Sequence, residues 1–405
     1  MLKDASEWVL AALNIALVLL RKHTDVVIGG SYAKRTLVTS PIYDIDVFIR
    51  YRGDIAELTQ ALFPALREIC MQHRFPLERV HGSRDYFRIV YSPSIVFEII
   101  PVAAIKKPSE AMNVTDLSYA HIAYVRKMLR KNKKLIHEIG LAKRFCKAQQ
   151  VYGAESYVQG FSGYALECLV IVYGSFLKMV KRLVSTKEQI ILDPAKHYKH
   201  KREIMLSLNE SKLRSPIVLV DPTWNERNVL AALSSETFAK FQKSAREFLK
   251  RPTPSFFIAK PITEADFIAR ARKLRTELVC LMLETPKQPG DIAGTKLKKF
   301  ADVIARHISH HFVFVERAFI YTGGHTARAY YFVKPGKIRL HRGPPLSMKE
   351  HAHRFKREHR NAIVKRGVMY APLPRPASAR EYLIHFLQRY EKMVREMDVI
   401  SAKVV

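Results

Sequence analysis

The sequence predicts a multidomain α+β protein, and three observations carry that expectation. The first hundred residues alternate short apolar strands with helix-period stretches, Asp116 to Leu183 is mostly of helical period, and strand-like alternation returns after a double-proline break at Pro252 and Pro254. A chain of 405 residues also exceeds what one hydrophobic core usually organises. The expected units are 1–115, 116–253 and 254–405.

Residues 1–23 read as a buried amphipathic helix. The longest apolar run, Trp8 to Leu20, is interrupted by Asn14 and is too short to cross a bilayer; Asp4 and Glu7 precede it where a secretion signal would be basic. Val26-Val27-Ile28 reads as a strand running into a Gly29-Gly30-Ser31 turn. Two glycines there allow the backbone to approach a phosphate closely, and Ser31 adds a hydroxyl. Ile42 to Tyr51 is a second strand and Ile55 to Cys70 an amphipathic helix, while Tyr86 to Tyr91 and Ile95 to Ile100 form a hairpin around Ser92-Pro93-Ser94. This order suits a small mixed sheet with helices on one face.

Beyond Asp116 the helical tract has two Gly-containing breaks, 151–155 and 160–164. A further helix is expected from Asn228 through Leu249, stopped by Arg251-Pro252-Thr253-Pro254. A helix from Glu264 to Leu283, a Pro-Gly break at 286–290, another helix, and strands at His311 to Tyr321 and Ala327 to Val333 describe a small α+β domain. Residues 341–366 carry eight basic residues against two acidic ones, and four histidines besides, His341, His351, His353 and His359. Residues two apart do not share a helix face, so His351-Ala352-His353 reads as a solvated or phosphate-contacting helix and not as a metal site. Pro372 to Pro376 leads into a last helix from Arg380 to Met397.

Lys plus Arg number 68 against 37 Asp plus Glu, a net charge of +31 that attracts a polyanion. Nucleic acid is the expected partner, because the basic residues are spread along the chain and do not form a juxtamembrane block. No membrane association is expected. The four cysteines lie far apart with no Cys-x-x-Cys spacing, which argues against a zinc site and a disulfide framework, and the expected setting is cytoplasmic.

The chemistry is concentrated in Asp44-Ile45-Asp46 and in Glu98. Alternation along a strand puts Asp44 and Asp46 on the same side. Like charges so close repel unless a divalent cation sits between them and a phosphate, and a third carboxylate on a neighbouring strand, Glu98, completes a cage suited to two Mg²⁺.

Taken in order, Gly30-Ser31-Tyr32-Ala33, Asp44-Ile45-Asp46-Val47-Phe48, Glu98-Ile99-Ile100-Pro101, Val151-Tyr152-Gly153-Ala154-Glu155, Gly160-Phe161-Ser162-Gly163-Tyr164, Asp221-Pro222 with Arg227-Asn228-Val229, and Gly343-Pro344-Pro345 resemble the archaeal (class I) CCA-adding enzymes. These are tRNA nucleotidyltransferases of the polymerase-β superfamily. The resemblance implies a polymerase-β-like nucleotidyltransferase head with a small mixed sheet, a helical central domain and a C-terminal α+β RNA-binding domain. It implies an enzyme that adds C, C and A to the 3′ end of tRNA from CTP and ATP, without a nucleic acid template.

Carried onto this sequence, the resemblance makes Asp44, Asp46 and Glu98 the catalytic and Mg²⁺-ligating carboxylates. It makes Gly30, Ser31, Lys34, His121, Lys143, Tyr152, Ser162 and Arg227 the nucleotide-binding set, with Arg227 reading the incoming base. The partners implied are ATP, CTP and the acceptor stem and outer duplex of tRNA, with a homodimer left open. The chain departs from the family at three places. Glu98 stands where the family has Asp, Lys34 where it has Arg, and Asp116-Leu117-Ser118-Tyr119 where it reads Asp-Arg-Thr-Pro. Two alternatives stay open at this point: an RNA-binding protein or tRNA chaperone of the same fold with weakened or lost catalysis, and a relative that adds only A or only CC.

Overall fold

A computed structural model describes the chain except residues 1, 21–23, 83, 261, 337–339 and 373–375. The end of the expected first helix and the middle of the proline-rich stretch 372–376 therefore lie outside the described residues. The chain divides into two compact units, 1–260 and 261–405.

The first unit begins with α1 (Leu2–Leu19), β1 (Asp25–Ile28), the single turn α2 (Gly30–Ala33), β2 (Tyr43–Tyr51), α3 (Ile55–His73), β3 (Leu77–Val80), β4 (Tyr86–Ser92) and β5 (Ile95–Ala103). The five strands form one sheet in the order β1-β2-β5-β4-β3. β2 and β5 run parallel and every other neighbouring pair is antiparallel, so the sheet is mixed. Asp54 starts α3 by accepting from the amides of Ala56 and Glu57. The helices α1 and α3 cover one face: Val9, Leu13, Leu58, Leu62 and Leu66 pack on Ile45, Val47, Ile49, Phe97 and Ile99. Burying each such side chain contributes about 1.5–3 kcal/mol, and a one-residue slip would carry Asp44 and Asp46 into that core, so the pattern holds the register of β2. The opposite face is left for the carboxylates.

The same unit continues with α4 (Ser118–Lys131), α5 (Lys134–Ala148), α6 (Gly163–Tyr173), α7 (Phe176–Ser185), β6 (Ile190–Leu192), α8 (Lys201–Ser207), α9 (Glu210–Leu213), β7 (Ile217–Asp221), β8 (Trp224–Asn228) and α10 (Ser235–Lys250). Its core is aromatic, with Phe145, Phe161, Phe176, Phe241 and Phe248 in contact. One expectation fails here. Asn228 does not start a helix but ends β8, because its side chain accepts from the amides of Leu219 and Leu230 and donates to the Lys212 carbonyl; Ser234 is the actual cap of α10. The prolines do stop α10 at Lys250, yet residues 254–257 fold back so that the Phe256 carbonyl accepts from Gln149.

The second unit comprises α11 (Glu264–Leu274), β9 (Glu277–Glu284), α12 (Asp291–Ile308), β10 (Phe312–Tyr321), β11 (Thr326–Pro335), β12 (Leu340–Pro345), α13 (Lys349–Glu358), β13 (Ile363–Lys365), β14 (Val368–Pro372), α14 (Ala379–Arg389), α15 (Glu391–Glu396) and β15 (Ser401–Val404). A four-stranded antiparallel sheet, β10-β11-β9-β15, buries one face against α12 and α14 and the other against α11. The expected helix Glu264 to Leu283 is therefore two elements. Arg275 adopts the left-handed conformation that ends α11, and Val279, Leu281 and Leu283 then alternate into the core as strand residues. The last expected helix likewise breaks at Tyr390. Within 341–366 only 349–358 is helical, packed on the small sheet β12-β14-β13 through Phe355. Among the described residues no single helix is long and apolar enough to cross a membrane, and the four cysteines are free and buried.

Candidate active site

On the open face of the first sheet, Asp46 is the register partner of Glu98 across the parallel β2–β5 pair, and Asp44 stands two residues earlier on β2. Strand alternation therefore gives all three carboxylates one side. Arg88 on β4 is the antiparallel partner of Glu98 and flanks the trio with a positive charge. Burial raises the pKa of Asp44, against the pull of Arg88 and Lys147. Burial also raises Asp46, opposed by Lys34 and reinforced by Asp44 and Glu167. Glu98 is pushed up to about 7 by burial and then by its two acidic neighbours. The neighbouring cations thus do not offset the burial of the three carboxylates. Among the described residues no three His, Cys, Asp or Glu side chains close into a preformed metal cage. Three hard oxygen donors on one face nonetheless fit Mg²⁺, which keeps several waters and is completed by substrate phosphates.

Gly30 lies against this face. Its φ is +57°, and a Cβ there would overlap the Asp46 carboxylate, so a glycine is required both by conformation and by space. Gly29 donates its amide to the Asp46 carbonyl at 2.7 Å.

Behind the carboxylates sits Glu167 of α6, fully buried. Its Oε2 accepts from Lys34 Nζ at 2.7 Å, and its Oε1 accepts from Lys143 Nζ at 2.7 Å and from the Thr36 hydroxyl at 2.6 Å. Lys143 Nζ also donates to the Thr36 carbonyl and hydroxyl, both at 3.1 Å. Burial alone would raise Glu167, but the two lysines hold it down at about 2. Burial lowers Lys143. The knot joins the segment after the glycine turn to α5 and α6.

A second buried carboxylate, Asp221 at the end of β7, organises the other wall. It meets His121 Nε2 at 3.0 Å, Arg227 Nη1 at 2.5 Å, the Tyr164 hydroxyl at 3.1 Å, and the Thr223 amide and hydroxyl at 2.8 Å each. Burial would raise Asp221, yet these hydrogen bonds and charges hold it well below the usual carboxylate range, while burial lowers His121. An ionised carboxylate only accepts, so the neutral imidazole carries its proton on Nε2. His121 stacks on Tyr164 with centroids 4.0 Å apart, and the Lys34 ammonium lies 5.7 Å from that same ring. The two walls therefore meet at Tyr164.

Tyr152 and Ser162 flank the break before α6. Tyr152 forms an isolated bridge with Phe161, and its hydroxyl lies near Gly163 and the Lys143 side chain. Ser162 caps α6 by accepting from the Ala165 amide at 3.1 Å, which leaves its hydroxyl hydrogen free to donate. Ser31 lies on α2, beside Gly30. Of the three departures, Glu98 holds the register position facing Asp46, Lys34 has Glu167 as partner, and Asp116 is a buried anchor that pairs with Arg84 and accepts from the amides of Ala103, Met112 and Asn113. Sequence reading missed Glu167 and Tyr164. A lone Glu inside the apolar run Ala165 to Val170 was the available signal, since a carboxylate buried on such a helix needs cationic partners.

Residues 137–258 match the family model described as tRNA nucleotidyltransferase, second domain. The chain is 37% identical over 215 residues to a CCA-adding enzyme of Nanoarchaeum equitans, covering 53% of each protein. It is 29% identical over 341 residues to one of Methanosarcina mazei, covering 82% of this chain and 71% of that one. With one of Pyrococcus abyssi the identity is 31% over 287 residues, covering 70% of this chain and 63% of that one. The chain thus spans about half the length of the first of these relatives and under two thirds of the last. A solved structure described as a cytoplasmic RNA terminal U-transferase shares 12% identity at a TM-score of 0.48, covering 64% of this chain and 93% of that one. By its sequence, the chain is similar to archaeal CCA-adding enzymes over much of its length, and 137–258 carries the second domain of a tRNA nucleotidyltransferase.

Proposed function

We propose that this protein transfers nucleotidyl groups from CTP and ATP to the 3′ end of tRNA, adding or repairing CCA without a nucleic acid template. The observation that carries the reading is the register of Asp46 opposite Glu98, with Asp44 two residues before on the same side. These three carboxylates would hold Mg²⁺. When bound, the metal lowers the pKa of the attacking hydroxyl and offsets charge on the phosphates.

The rest falls to the chain's own residues. Gly30 lets the backbone come against Asp46, so that a nucleotide phosphate can lie beside the carboxylates, with the Ser31 hydroxyl donating to it. Lys34 has one donor on Glu167 and further N–H groups for phosphate oxygens, where its charge supports the departing pyrophosphate. Lys143, Tyr152 and Ser162 line the same side, and Lys143 secures Lys34 through Glu167. On the other wall Asp221 aims Arg227, whose planar fork can donate to a base edge and a phosphate at once, and fixes the His121 ring beside Tyr164. The +31 charge attracts the RNA, and the basic residues of 341–366 would contact the outer duplex by backbone and shape.

The test is incubation with tRNA lacking its 3′ CCA, Mg²⁺, and labelled CTP or ATP supplied separately and together. Incorporation of both C and A is expected. Incorporation of one nucleotide only would narrow the activity, and tight tRNA binding with no incorporation would leave an RNA-binding protein.

A further inference from the structure

Helix α4 carries a second surface that the carboxylate cleft does not use. His121 turns inward to Asp221, whereas Tyr119, two residues earlier and so about 200° around the helix axis, faces out and is 50% exposed. The Arg50 guanidinium lies 4.5 Å from the Tyr119 ring centroid, and Asp25, the register partner of Arg50, holds that arginine at 3.5 Å. Arg50 stands four residues past Asp46 on the same side of β2, about 13 Å along the strand, so the ring sits at the far end of the open face. Tyr119 also closes the segment 116–119 at which the chain departs from the CCA-adding pattern.

From Tyr119 the exposed positions of α4 continue in a row. Ala123, Arg126 and Arg130 follow within about 60° of one another around the axis, over a length of about 16 Å, with Lys127 beside them. Residues 118–134 hold six Lys and Arg and no Asp or Glu. Among the described residues the side chains of Arg126, Lys127 and Arg130 have no hydrogen-bond or ion-pair partner. Exposed arginines elsewhere on the chain do find a carboxylate one turn away, as Arg214 does in Glu210 and Arg354 in Glu358. Apart from Tyr119 the row has no large apolar side chain, which argues against a membrane surface. A ring backed by a guanidinium, followed by uncompensated guanidinium groups, suits a base and the phosphates beside it.

We propose that Tyr119, Arg126 and Arg130 form a docking track for unpaired RNA outside the catalytic cleft, in which a base stacks on Tyr119 and the two arginines take backbone phosphates. The assignment does not rest on the transfer reading, because its test uses neither nucleotide nor metal. Binding of a fluorescent, unstructured RNA of about ten nucleotides, within the site size of such tracks, is followed by anisotropy on the full chain across a salt series, with each melting midpoint recorded. Tyr119→Ala is expected to weaken binding about fivefold or more and Tyr119→Phe to keep it, with midpoints little changed. The pair Arg126→Gln with Arg130→Gln is expected to flatten the slope of log affinity on log salt by about 1.4, two phosphates at about 0.7 each. The control pair Arg246→Gln with Lys250→Gln removes the same charge from exposed positions of α10 and is expected to behave as wild type. Equal losses in the control pair would make net charge the cause and overturn the proposal, as would wild-type affinity in Tyr119→Ala. A blunt RNA duplex of the same length is expected to be insensitive to Tyr119→Ala, and equal sensitivity would overturn the stacking role. Polyglutamate that displaces the probe as well as unlabelled RNA does would give the face to an acidic protein and also overturn it. Should Tyr119→Ala fail to fold, the arginine pair against its control decides alone.

Discussion

Asp46 and Glu98 face one another across two parallel strands, each the other's register partner, with no covalent or sequence proximity to bring them together. Glu98 holds that position within an unbroken parallel register from 43/95 to 51/103.

That relationship predicts a pH dependence. Burial and two acidic neighbours raise Glu98 from its ordinary 4.5 to about 7, so the folded protein holds a proton that the unfolded chain has lost between those values. The penalty of ionising Glu98 is fully present above pH 7 and absent below about 4.5. In metal-free buffer, Glu98→Gln is expected to raise the melting midpoint at pH 8 relative to wild type, with the gain shrinking as pH falls from 7 to 4.5. Thermal denaturation across that range checks it, and added Mg²⁺ is expected to stabilise wild type more than the variant.

Glu167 behaves in the opposite sense. The two lysines hold its carboxyl down at about 2, so its stabilisation is present above the ordinary 4.5 and is lost as pH falls toward 2. Glu167→Gln leaves two buried ammonium groups without their counter-charge and is expected to cost about 3–5 kcal/mol near pH 7. Urea denaturation measures this, and the difference from wild type is expected to narrow in acid.

Arg227 and Asp221 form the third pair to separate. Arg227→Ala is expected to raise KM for both CTP and ATP by roughly ten- to a hundredfold, the range for losing a charged hydrogen-bond donor, and to lower the melting midpoint modestly, because Asp221 keeps its bonds to His121, Tyr164 and Thr223. Asp221→Asn is expected to raise KM less and to lower the melting midpoint more, because it removes the charge that His121 and Arg227 share. Steady-state kinetics with each nucleotide, beside thermal melts, distinguishes the two.

The strand residues were legible in sequence because alternation is local. Ile45, Val47 and Ile49 on one side imply Asp44 and Asp46 on the other, and the hairpin at Ser92 to Ser94 puts Glu98 on its second strand. Strand partnership is not local, so the register that pairs 46 with 98 was visible only in the fold. The Lys143 donors were beyond sequence for the same reason, since Thr36 lies 107 residues away. Asn228 misled because it is a good helix cap by type, and three backbone partners in the tertiary structure outweighed that preference. Leu278 to Leu283 misled because a short apolar run serves a buried helix or a buried strand equally.

The central claim is that the carboxylate trio performs the chemistry, and the most direct measurement is the single-turnover rate of label transfer onto tRNA lacking its 3′ CCA, compared between wild type and Asp46→Asn at equal occupancy. The substitution keeps the size and shape of the side chain beside Gly30. The account predicts that transfer of both C and A falls on the order of a hundredfold or more in the variant, since metal-assisted charge stabilisation supplies several kcal/mol, while tRNA binding is retained. Transfer by Asp46→Asn at the wild-type rate would contradict it.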